Sequence, residues 1–335
     1  MVRRGSTVIA VLLAGVLLAG CSSAPSEAAG RLAVEGYAEP GAGAAARVTA
    51  AGTRATTIGI DGVTLAEDGA TVLDPPEGTA SLASTATRAG SVPELLVSNF
   101  SSDLGDFSPQ IGTALLSHAD RRTAVAADVA RRAHGLGMRG VQIDLESLRA
   151  RDRPGLVAFA AALSDAVHDR LGRNAQVSIA VMASTSADGY RDTGYDLRRL
   201  ARHVDRVVLM TYDQHGPWSG AGSIGALPWA QRVVRAAETE GVPRSKIDLG
   251  IAGYGYVWGG KHDGEQVSPT RAVALAGKRA EWSARDGEWS AVLRDGTRLH
   301  WSDARSYRAR TALATKLHLH GVALWSLDLE ALPQD

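Results

Sequence analysis

A single cysteine, Cys21, stands in a chain of 335 residues. One thiol can neither close an internal disulfide nor furnish a cysteine-based zinc or iron–sulfur site. Net charge is missing as well, because 36 Lys and Arg balance 36 Asp and Glu. A nucleic-acid-binding surface usually needs a clear basic excess, so the balance argues against a nucleic-acid partner. Lysine is scarce, at Lys246, Lys261, Lys278 and Lys316 alone. Alongside abundant Ala and Gly, this arginine bias reflects genomic composition rather than function. No apolar run reaches the roughly twenty residues of a membrane-spanning helix. Aromatic residues amount to 5%. What is there, 45% hydrophobic and 21% charged residues, suits an ordinary globular protein and excludes a disordered or collagen-like chain.

The first residues read as an address. Arg3 and Arg4 form a basic head, and Thr7–Leu18 is an apolar run of 12 residues, the length of a secretory h-region. Leu18-Ala19-Gly20-Cys21 resembles a bacterial lipobox, in which the Cys is lipidated and becomes the mature N-terminus. The expectation is a lipoprotein signal peptide over 1–20 and a flexible tether over 21–30, small and polar in composition. The protein would then be extracytoplasmic, held to the bacterial cell membrane only through the lipid on Cys21.

Beyond the tether, short apolar runs alternate with helical stretches. They are Leu32–Tyr37, Thr56–Val63, Glu94–Phe100, Gly140–Glu146, Val177–Ala183, Arg206–Tyr212, Asp248–Tyr254 and Gly321–Leu327. Eight such runs predict parallel βα units, and residues 31–335 suit one α/β (β/α)8 TIM barrel. The clearest helix spans Pro154–Leu171, where Leu156, Phe159, Ala160, Leu163, Val167 and Leu171 recur every three or four residues. Pro154 suits its first turn and Gly172 its end. A small α+β insertion interrupts the rhythm between strands seven and eight, at about 259–300, with a hairpin turn at Arg294-Asp295-Gly296.

The segment Gly140–Glu146 carries the chemistry. Alternate residues of a strand face opposite ways, so Val141, Ile143 and Leu145 pack outward while Gln142, Asp144 and Glu146 point inward. Glu146 lies nearest the C-terminal mouth, where TIM-barrel active sites sit. Two neighbouring carboxylates resist joint ionisation, so one stays protonated near neutral pH, as a general acid requires. A strand entering a polar loop with both acids solvated is the plain alternative.

Four ordered segments bear on that choice. Arg139–Glu146 resembles the DxxDxDxE signature of glycoside hydrolase family 18, the chitinase-like barrels, with Arg139 and Gln142 replacing its first two acids. Val208–Asp213 resembles the family's Met-Thr-Tyr-Asp segment, Lys246–Gly255 its seventh strand and Gly321–Ser326 its eighth. The resemblance covers about 31–330 and is strongest to the spore-cortex-lytic, peptidoglycan-cleaving branch. It implies a glycosidase acting on β-linked N-acetylglucosamine glycans, peptidoglycan or chitin, in which the substrate's own acetamido oxygen attacks the anomeric carbon. Glu146 would be acid and then base, Asp144 would hold the acetamido N–H, and Tyr212 would donate to the acetamido oxygen. Asp213 would bind the sugar beside Met210, and Trp325 would floor it. The resemblance implies no metal and no cofactor. Gln142 lacks the charge of the acid that normally shares a proton with Asp144, although it could still hydrogen-bond Asp144. A catalytically weak, lectin-like glycan-binding lipoprotein is therefore the rival reading.

The scarce aromatics reinforce the groove. Tyr37, Phe100, Tyr212, Tyr254, Tyr256, Trp258 and Trp325 fall at or just past strand C-termini, and Trp218 follows in the sixth loop. Asn99 is a candidate polar contact, as is His215, whereas His318 and His320 precede strand eight at the barrel's base and read as structural. Nothing in the sequence demands more than a monomer.

Overall fold

The computed structural model describes Met1 and residues 31–333; Cys21 and the segments read as signal peptide and tether lie outside the described residues. Among the described residues no helix is long and apolar enough to cross a membrane. From Leu32 onward the chain builds a closed eight-stranded barrel. Its strands are β1 (Ala33–Ala38), β2 (Thr57–Thr64), β3 (Val92–Ser98), β4 (Gly140–Asp144), β5 (Gln176–Met182), β6 (Arg206–Met210), β7 (Ile247–Ala252) and β8 (Gly321–Trp325). All neighbours run parallel, and β1 closes the barrel against β8 with Ala33 opposite Gly321. The α/β barrel expected from the eight apolar runs is the architecture observed.

Six strands end earlier than their apolar pattern: β3 at Ser98, β4 at Asp144, β5 at Met182, β6 at Met210, β7 at Ala252 and β8 at Trp325. The backbone beyond β4 and β7 leaves the regular ladder for single contacts. Glu146 donates its N–H to the Asn99 side chain, and Gly253 donates to the Trp325 carbonyl. Glu146, Tyr212 and Asp213 therefore sit in mouth loops, while Asp144 and Met210 close their strands.

Alternation sorts the barrel side chains. Outward-facing Ile58, Ile60, Val141, Ile143, Val177, Ile179, Val207, Leu209, Leu249 and Val322 are buried against the surrounding helices. Each buried aliphatic side chain of this kind contributes about 1.5–3 kcal/mol. The helix Arg153–Leu171 supplies Leu156, Phe159, Ala160, Leu163 and Val167 to this shell and ends at Gly172, whose φ of 99° suits glycine.

Inside, the barrel is layered. At the base, Arg206 bridges Glu35 at 3.0 Å, Asp248 at 2.7 Å and Glu94 at 2.6 Å. One guanidinium serves three buried carboxylates, so burial pushes Glu35 up to about 7 despite Arg206. His320 closes this base through Asp248, Nδ1 to Oδ1 at 2.6 Å. Above it Tyr37, Leu96, Val208 and Ala323 form an apolar layer. Tyr37 fits because Gly59 has no side chain; a Cβ there would lie 2.5 Å from the Tyr37 ring.

Between β7 and β8 lies the insertion, a five-stranded antiparallel sheet with one helix, Pro269–Ala276. Its strands, in sheet order, are Gln266–Val267, Gly255–Trp258, Arg298–Trp301, Glu288–Val292 and Glu281–Ser283. It starts at Gly255, a few residues before the expected limit, because Gly255 lets the strand pack directly on Trp301; a Cβ there would lie 2.3 Å from the Trp301 Cβ. Val257, Val267, Ala272, Leu299 and Trp301 give it a small core of its own.

Candidate active site

β4 delivers Asp144 at its last position, and Glu146 follows in the loop. The sequence turns there for a local reason. Asn99, fully buried after β3, grips the Glu146 backbone at both ends. Its Oδ1 accepts from the Glu146 N–H at 2.9 Å, and its Nδ2 donates to the Glu146 carbonyl at 2.9 Å and to the Ser108 carbonyl at 2.8 Å. Tyr195 donates its hydroxyl to the Leu145 carbonyl at 3.0 Å. Asn99 is thereby corrected from a sugar contact to a support: its polar atoms are committed inside the protein and it does not line the cavity.

Asp144 and Glu146 open into a cavity of about 480 Å³ at the barrel mouth, within the range of a small-ligand site. The structure brings Tyr37, Gln142, Met210, Tyr212, Asp213 and Trp325 to the same cavity. Burial raises Glu146 well above the usual carboxylate range, and the charges of Asp144, Asp213 and Asp106 add to it. Asp144 is pushed up to about 7, chiefly by burial and then by the charge of Asp61. Tyr212, pushed up by burial and by Glu146 and Asp144, keeps its proton and remains a donor. The arrangement offers a protonated carboxyl, a second carboxyl and a phenol facing one space.

Gln142 is a second correction. It makes no hydrogen bond to Asp144. Its Oε1 accepts from the Tyr37 hydroxyl at 2.8 Å, and its Nε2 donates to Ser178 at 2.9 Å and to Glu35 at 3.3 Å. The amide is held downward by its acceptors there, Ser178 and Glu35. Asp144 is left with Oδ1 buried and without a partner.

The walls come from loops. β6 gives way to Tyr212 and Asp213, the latter at a φ of 57°. Asp213 Oδ1 accepts from the Tyr254 hydroxyl at 2.7 Å and the Tyr256 hydroxyl at 3.2 Å. Tyr254 and Trp258 are buried supports, while Tyr256 and the exposed Trp218 reach the cavity. Trp325 and Tyr37 pack at 5.2 Å between ring centroids on the floor. Opposite, a hairpin of Phe100–Ser101 and Asp106–Phe107 brings in Asp106 and Phe107, and Phe100 packs edge-on against Phe107. Asp106, Phe107, Met182 and Trp229 belong to the lining without standing out in the sequence; only the aromatic spacing hints at Phe107. His215 stays outside the lining, with Nδ1 3.4 Å from Ser219 Oγ.

The profile described as Glycosyl hydrolases family 18 matches residues 101–330. The chain belongs to this family. Among family relatives it is 27% identical over 274 residues to a cortical fragment-lytic enzyme of Bacillus anthracis, covering 77% of this chain and 61% of that one. It is 30% identical over 244 residues to the cortical fragment-lytic enzyme of Bacillus subtilis (strain 168), covering 68% of this chain and 55% of that one. The chain thus spans about three fifths of the length of these curated relatives. In structure it is similar to a chitinase from Chromobacterium violaceum ATCC 12472, with a TM-score of 0.78, 25% identity, and coverage of 90% of this chain and 95% of that one.

Proposed function

We propose that this chain is an exported, lipid-anchored glycosidase that cleaves β-linked N-acetylglucosamine glycans, peptidoglycan or chitin, by substrate-assisted retaining catalysis. The carrying observation is that Glu146, held protonated by burial, shares one cavity with Asp144 and Tyr212. Glu146 donates its proton to the glycosidic oxygen as the bond breaks, then accepts a proton from water. Asp144, with one oxygen unpartnered, accepts from the acetamido N–H and faces the positive charge that develops as the acetamido oxygen attacks. Tyr212 donates to that oxygen. Trp325 and Tyr37 give the sugar ring an apolar floor. The relatives' names, a cortical fragment-lytic enzyme and a chitinase, support glycans of this class.

The test is Glu146→Gln on N-acetylglucosamine oligomers and on purified peptidoglycan. Turnover should fall about 1,000-fold, the worth of a general acid, while oligomer binding persists by calorimetry. Binding without turnover in the wild type would favour the lectin-like reading instead. The anchor rests on the Leu18–Cys21 segment. Labelled palmitate should enter the protein expressed in a bacterium and vanish in Cys21→Ser; an unmodified mature N-terminus elsewhere would refute it.

A further inference from the structure

Position 142 brings no charge to the site, and its amide is committed to Tyr37, Ser178 and Glu35. Asp144 still has a bare, buried oxygen. A carboxylate in that condition ionises reluctantly, so the charge standing nearby decides when it does. Asp61 on β2 is in that position. Ile60 is buried in the outer shell, and a Cβ on Gly62 would come within 2.2 Å of Leu95, another outer-shell residue. Asp61, between two outward residues, therefore points into the barrel. The strand is irregular here: Ile60 pairs with Leu95, but Val63 pairs with Val97. One extra residue on β2 makes a bulge, which re-aims the side chain beside it. On β3, at the level of Asp144, stands only the small Ser98, paired with Thr64 on one side and with Asp144 on the other.

We propose that Asp61 is a positioning residue for the hydrolytic reaction, supplying from β2 the second acid that position 142 lacks and thereby setting the pH above which Asp144 is ionised. The inference rests on the glycosidase reading above. The other groups facing Asp144 are Glu146 beyond β4, Tyr37 on β1, Tyr195 after β5 and Tyr212 after β6. The three phenols are all pushed above their ordinary value and stay neutral, and burial holds Glu146 protonated. Asp61 itself faces Glu39, which lies near Asp328 and Arg47. Asp61 thus supplies the adjustable negative charge.

Asp144 must be anionic when positive charge develops on the acetamido group, so its ionisation gives the acid limb of the pH–rate profile. Protonated Glu146 gives the alkaline limb. Removing the Asp61 charge makes Asp144 easier to ionise. In Asp61→Asn the acid limb of kcat should move down by about one pH unit, with the alkaline limb and KM unchanged. Asp61→Glu should restore the limb. A purely structural role would lower the rate without moving the limb, and that result would overturn the proposal. Carbon-13 NMR of the Asp144 carboxyl, assigned by its loss in Asp144→Asn, follows the same titration without turnover. A downward shift in Asp61→Asn upholds the electrostatic link even if no glycan is cleaved, in which case the hydrolase reading alone has failed. An unmoved titration overturns the proposal whatever the activity.

Discussion

At the scale of single residues, the site depends as much on what holds Glu146 as on Glu146 itself. Strand alternation is enough to single out Asp144 and Glu146, because period two is a local property of the chain. Asn99 is different. Its role depends on a contact across 47 positions, and an Asn after a strand carries no local mark of it. Asn99→Ala would strip partners from the Glu146 N–H and carbonyl in a buried place, costing about 3 kcal/mol in all. A denaturation midpoint should register that loss. Displacing Glu146 slightly should also lower kcat about 100-fold, with KM nearly constant. Wild-type kcat in a folded Asn99→Ala would show that the clamp is not needed for geometry.

At the scale of elements, the insertion is a buttress for the loop after β6. Glu288 accepts from the backbone N–H groups of Ile224 at 3.0 Å and Gly225 at 2.7 Å, and it pairs with buried Arg310. Arg310 also donates to the Gly287 carbonyl at 2.9 Å. Trp258 donates its indole N–H to the Gly216 carbonyl at 3.0 Å, and Tyr254 and Tyr256 hold Asp213. An antiparallel sheet suits this task, since its own ladder holds rigid the inner strands Gly255–Trp258 and Glu288–Val292, whose side chains reach the loop. Removing one member of a buried ion pair typically costs about 3–5 kcal/mol. Glu288→Ala should therefore lower the thermal midpoint and speed amide exchange selectively over residues 214–226. Oligosaccharide KM should rise with it, because Asp213 and Trp218 ride on that loop. Unchanged exchange there would contradict the buttress.

At the scale of the whole molecule, the barrel interior carries more acid than base. Glu35 and Asp144 are both pushed up to about 7, from 4.5 and 3.8 respectively. The folded protein accordingly binds more protons than the unfolded chain between those values. That contribution to stability is fully present below about pH 4 and is lost as pH rises through about 7. Glu35→Gln removes one such group without changing its shape. The unfolding free energy of the wild type relative to this variant should fall between about pH 4.5 and about pH 7, by at most about 1.4 kcal/mol per pH unit. Parallel pH curves for the two proteins would show that Glu35 does not titrate differently on folding.

The sequence by itself determined the eight strands, their inward and outward faces, the family signature segments and the two acids of β4. All of these are encoded in spacings of a few residues. Tertiary structure decided which polar groups meet. It turned Gln142 away from Asp144 toward Tyr37 and Glu35, placed Asn99 behind Glu146, gathered three acids on Arg206, and put a bulge into β2 after Ile60. Closing a barrel puts residues from distant strands within hydrogen-bond reach, and each buried polar group must then find a partner or shift its charge. That competition for partners has no signature along the chain, and it sets the electrostatics of the mouth.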